Sequence, residues 1–109
     1  MIHLFFDHFG EKVLIEINGS KVFFSTTIFG NNKAPIDSLK INYNGAIKEF
    51  PDLEDREDWR DEAIRRFKIK IGSMKDEDHI ARYLIEDLRK YNYLPLYKQK
   101  VGWRPEVIK

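Results

Sequence analysis

The stretch Asp76–Asn92, DEDHIARYLIEDLRKYN, constrains the fold most, because every local signal in it agrees. Ile80, Ala81, Leu84, Ile85, Leu88 and Tyr91 recur at three- and four-residue spacing, which lays one broad apolar stripe along an α-helix. Asp76, Glu77 and Asp78 crowd the amino end, and Arg89 and Lys90 stand in the last turn. Those are the signs the helix dipole favours at each end. Asp78 with Arg82, and Glu86 with Lys90, are acid-before-base pairs four apart. Asn92 tolerates the left-handed cap conformation, and Pro95 forbids continuation soon after. Such a helix needs a surface to lie on, and the rest of the chain must supply it.

The amino-terminal half supplies it as strands. Met1–Phe6 is short, apolar and aromatic, and Gly10 and Glu11 read as a turn. Lys12–Ile17 alternates, with Val13, Ile15 and Ile17 on one side. Asn18-Gly19 then precedes a β-rich run over Lys21–Phe29. Asn-Gly between two such runs predicts a hairpin, because a type I′ turn needs positive φ at both central residues. Gly30–Pro35 reads as a loop. A second Asn-Gly, Asn44-Gly45, lies between Ser38–Tyr43 and Ala46–Phe50 and predicts another hairpin. Residues 1–50 therefore read as an antiparallel meander, and Pro51 ends it.

Residues 51–92 read as helical. Trp59, Ala63, Ile64 and Phe67 keep a helical stripe through a run dense in acid, with Asp55 as its N-cap. FKIKI, residues 67–71, supports two readings. It alternates like a strand, which would give a right-handed strand–helix–strand crossover. It also continues the helical face through Ile64, Phe67 and Ile71, with Gly72 as the stop. The helical reading is taken here, and Ser73 with Asp76 then forms a partial capping box for the next helix. Residues 93–109 read as an edge strand, with Pro95 near its start, and a tail. The expected fold is one α+β domain: an antiparallel meander sheet of four to six strands with two helices packed on one face. Ile41, Trp59 and Ile85 are expected in its core beside the alternating strand residues.

Composition narrows the function by exclusion. The chain has 109 residues, no cysteine and a formal net charge of +1. That length supports a core without disulfides, and the charge gives no general argument for nucleic acid or membrane. Without cysteine there is no thiol nucleophile and no thiolate metal site. The opening MIHLFFDHFGEKVLIEI lacks a basic stretch and carries Asp7 and Glu11, unlike a signal peptide. A cytoplasmic protein with no membrane contact is the expectation. His3, His8 and His79 share no ligand spacing, so no metal site and no cofactor is expected. The serines lack GxSxG and SxxK, and the glycines are isolated, so no catalytic residue is assigned.

Two stretches and one surface remain as binding candidates. From Arg89 to Lys109 the bases are opposed only by Glu106. Tyr97, Lys98, Lys100, Trp103 and Arg104 put aromatic rings among cations there, the pairing that stacks bases and tracks phosphates of single-stranded nucleic acid. The acidic run holds Asp55, Glu57, Asp58, Asp61 and Glu62, a surface for a basic protein partner, with Arg56 and Arg60 breaking up its field. A sheet with helices on one face leaves the other wet. That open face suits a protein partner or a homodimer. The leading expectation is a small non-catalytic module that contacts nucleic acid through its carboxyl-terminal face. One alternative is a protein-interaction or inhibitor module, of the kind viruses encode, that uses the acidic helix or the open sheet face. The last alternative is an enzyme whose site carries no recognised motif.

Overall fold

The structure is a computed structural model, and it describes residues 1–26, 32–36 and 43–108. Strands β1 (Ile2–His8), β2 (Glu11–Asn18), β3 (Lys21–Thr26), β4 (Ala34–Pro35), β5 (Leu94–Lys100) and β6 (Glu106–Val107) form one sheet. Its order is β4-β3-β2-β1-β5-β6, antiparallel throughout. Between β4 and β5 come helices α1 (Tyr43–Glu49), α2 (Trp59–Gly72) and α3 (Glu77–Arg89), with a 3₁₀ turn at Pro51–Leu53. The α+β class and the sheet are as expected, with three described helices in place of two.

Strand alternation builds the core. Ile2, Leu4 and Phe6 on β1, Val13, Ile15 and Ile17 on β2, and Val22 and Phe24 on β3 are all buried on one face. Phe67 and Ile71 of α2 and Ile80, Ala81, Leu84 and Leu88 of α3 close over them. Each fully buried Leu, Ile or Phe contributes about 1.5–3 kcal/mol relative to exposure. Ile36 joins this core without having been foreseen, Ile71 joins it on the expected helical face, Tyr93 is buried beside them, and Trp59 and Ile85 are only half-buried. Ile41 lies outside the described residues.

The α3 signals hold at both ends. The Asp76 side chain accepts the His79 N–H at 2.8 Å, so Asp76 itself is the N-cap. Ser73 does not complete a capping box; its hydroxyl donates to the Lys70 carbonyl. At the other end Asn92 has φ 68°. The Tyr93 N–H returns to Leu88 O and the Asn92 N–H to Arg89 O, the paired bonds of a Schellman motif. Residues 67–71 are helical, and α2 runs to Gly72.

Further expectations are corrected. The second hairpin does not form, because Asn44-Gly45 sits inside α1. Apolar residues there fall at 46, 47 and 50, which fits a 3.6-residue period and not a period of two. Ala46 joins Leu53 and Ala63 in a second small core, flanked by Ile47, Phe50 and Trp59. The first two turns are each displaced by one residue. His8 pairs with Glu11, so Phe9 and Gly10 form the loop, with φ 50° and 87°. Asn18 pairs with Lys21, so the loop is Gly19-Ser20, where Gly19 has the positive φ. Asp55 is not an N-cap; it has φ 64° in the turn ahead of α2, and Asp58 takes the cap position. Finally, β5 is not the edge, because the expected tail returns as β6 and pairs Tyr97 with Val107 and Lys98 with Glu106. Residues 27–29 and 38–42, assigned above to strands, lie outside the described residues.

β5 also carries a bulge. Phe5 pairs with Tyr97 but Phe6 pairs with Pro95, so Leu96 has no partner on β1.

Candidate functional site

Sheet alternation divides the basic–aromatic candidates between two faces. Lys98 and Lys100 pair across β1 with Leu4 and Ile2, so they stand on the helix-covered side. There the first turn of α3 presents Asp78, which takes Lys98 Nζ at 3.3 Å and Lys100 Nζ at 2.9 Å. Lys100, then Lys98, hold the Asp78 carboxyl below the usual carboxylate range. The same contact pushes the Lys100 ammonium up. Asp78 thus ties β5 to α3 and does not pair forward along its helix with Arg82. Both lysines are engaged within the fold, and not by the acidic run.

Tyr97 faces the opposite way. Its ring stacks on Phe5, with centroids 4.1 Å apart and planes 18° from parallel. Trp103 and Arg104 belong to the loop between β5 and β6, where Trp103 is 71% exposed. Lys100 Nζ lies 5.9 Å from the Trp103 ring centroid. A hollow of about 200 Å³ is bounded by Asp78, Lys98, Lys100, Trp103, Arg104 and Glu106. The structure therefore gathers Lys98, Lys100, Trp103 and Arg104 around Asp78, and it sets Tyr97 apart.

The acidic run is partly internally neutralised. Arg56 grips Asp58 through two bonds of 2.9 and 2.8 Å. Arg66 bridges Asp52 at 2.7 Å and Glu62 at 3.0 Å, and Arg65 also binds Glu62. Arg65, then Arg66, hold the Glu62 carboxyl down to about 2. Asp55, Glu57 and Asp61 are exposed. The five candidate acids are thus split between arginine partners and solvent, and they make no continuous acidic face.

The open sheet face has the more coherent geometry. Successive cross-strand partners run Val107–Tyr97–Phe5–Leu14–Ser25 in one row. A second row runs Gln99–His3–Glu16–Phe23–Pro35. Val107 and Pro35 at the two edges are exposed, and the side chains between them are half-buried. Such side chains rest on their neighbours and still present a surface. Both carboxylates on this face are paired, Asp7 with Lys12 at 2.9 Å and Glu16 with Lys33, and Lys21 stands exposed at its corner. His3 Nε2 lies 4.0 Å from Glu16 Oε1. Among the described residues no helix lies over these rows. Phe5, Leu14 and Phe23 were not named from sequence. The signal was present in HLFFDH, where His3, Phe5 and Asp7 alternate against Leu4 and Phe6.

The histidines do not converge. His8 stacks on Tyr93 at 3.8 Å, His79 sits in the exposed first turn of α3, and His3 is on the open face. Among the described residues no group of three His, Cys, Asp or Glu could hold a metal ion. A polar cluster joins α1 to α3: Tyr83 Oη donates to Glu49 at 3.0 Å, and Tyr91 Oη donates to Gly45 O at 3.1 Å. Burial pushes both phenols up, Tyr91 to about 12. Among the described residues no helix is long and apolar enough to cross a membrane. The chain matches no protein-family model, no curated protein and no solved structure.

Proposed function

We propose that this chain is a protein-interaction module that docks its partner on the open sheet face. The observation that carries this reading is the row Val107–Tyr97–Phe5–Leu14, half-exposed and apolar, with its neighbouring acids already ion-paired. An apolar centre with a satisfied polar border is the anatomy of a protein interface. Aromatic rings held rigid by mutual stacking add contact area at low entropic cost. The test is retention on immobilised protein. A partner from the source cell should bind wild type and not Leu14→Lys, whose circular dichroism should match wild type. Equal retention on both would overturn the reading.

A second reading is favoured by one observation, the exposed Trp103 beside Arg104 and Lys100. A single-stranded nucleic acid could stack a base on that ring. Against it, Asp78 engages both lysines and cancels one of their two charges, and Glu106 shares the hollow. A gel shift at two salt concentrations decides it. Trp103→Ala should cost on the order of 1–3 kcal/mol per stacked base lost. No shift at low salt removes this reading.

A further inference from the structure

We infer that the partner on the open sheet face is a second copy of this chain, packed face to face; this rests on the protein-interaction reading above. Three observations bear on the choice of occupant. The first is charge. Glu16 is answered by Lys33 and Asp7 by Lys12, so the face offers little net field to steer an unlike, charged partner. With Lys21 at one corner as the remaining charge, it offers little like-charge repulsion to an identical face. The second is the edges. β4 and β6 are two residues long, so among the described residues neither edge offers a full strand for a partner to extend. Association through the sheet then falls to its face. The third is area. Strands about 4.8 Å apart, with same-face residues about 6.8 Å apart, make the two rows and their border a platform roughly 20 Å square. Two such platforms bury about 800 Å², a third below the ~1,200 Å² of a small stable interface. The expected dimer is therefore weak.

Two-fold packing sets Phe5 and Leu14 near the axis, because β1 and β2 are the middle strands. Each apolar centre then meets the other, and the ion pairs fall around them.

The test uses the full chain. Sedimentation equilibrium from about 5 to about 500 µM should show a monomer–dimer transition within that range. Leu14→Lys and Tyr97→Lys should each shift the protein to monomer with unchanged circular dichroism. The chain has no cysteine, which permits a clean second measurement. Leu14→Cys should form an intermolecular disulfide at least tenfold faster than Lys68→Cys, which lies on the exposed side of α2. Three outcomes overturn the inference: wild type monomeric throughout, a dimer that survives both lysine variants, or equal disulfide rates at the two positions. A monomer that still retains another protein through Leu14 overturns the second copy and leaves the module reading standing. A monomer that retains nothing removes both.

Discussion

Leu14 and Ile15 are neighbours on β2 with similar side chains, yet they belong to different parts of the molecule. Ile15 is fully buried under the helices, whereas Leu14 lies half-exposed between Phe5 and Ser25. One step along a strand separates a residue that holds the fold together from one available for contact. The two faces share every turn and every backbone hydrogen bond. What differs is only what lies over them. Stability and recognition can therefore be altered almost independently in this sheet, by choosing odd or even positions.

The sharpest way to break the comparison is to truncate both neighbours. Ile15→Ala should cost about 2–5 kcal/mol in urea unfolding, from lost transfer energy and the cavity left behind. Leu14→Ala should cost under about 1 kcal/mol, as for a side chain already in part-contact with water. Equal costs would mean that the open face is covered in the monomer.

Acid should sharpen the comparison in the helical layer. Glu62, Asp52, Asp58 and Asp78 all have lowered carboxyl values because arginine or lysine holds the ionised form. A lowered folded value means stability that is present above the unfolded value and lost as pH falls through the folded one. The melting temperature should hold down to the ordinary carboxylate range and then fall; for Glu62 the window runs from 4.5 to about 2. Glu62→Gln should flatten that limb by lowering the melting temperature near neutral pH toward its acid value. A limb as steep in Glu62→Gln as in wild type would show that the arginine contacts are not held in solution.

The smallest effect is expected at Trp103. It is exposed, so Trp103→Ala should change stability by no more than about 0.5 kcal/mol. A fall of several degrees in melting temperature would place the ring in a core and end its candidacy as a stacking platform.

Much of the fold was legible because period and sign are local properties. The stripe of α3 and the alternation of β2 need no knowledge of the rest of the chain. The second Asn-Gly misled because a turn dipeptide is only a preference. Ala46 and Phe50 could bury themselves on Leu53, Ala63 and Trp59, and that packing decided for a helix. The candidate site was less legible for a different reason. The basic and aromatic residues near the carboxyl end are close in sequence, but a strand separates neighbours by face. Which carboxylate meets Lys98 and Lys100 depends on how α3 crosses the sheet, and nothing in YKQK reports that. Asp78 was visible only as a dipole-favoured acid at a helix start and as the partner of Arg82, a pair the structure replaces with Lys98 and Lys100.

The bulge at Leu96 gives this separation its sense. Leu94 pairs with Asp7 on the open side. Counting on by twos from Leu94 would put Leu96 and Lys98 outward and turn Tyr97 toward the helices. The unpaired residue reverses the count, so Tyr97 lies over Phe5 and the lysines lie under Asp78. The character of each face beyond that point is thus a matter of parity. Paired in unbroken alternation from Leu94, the same letters would bury a tyrosine, expose two lysines and make the platform cationic. Deleting Leu96 instead would leave both faces as they are, because Tyr97 would still meet Phe5.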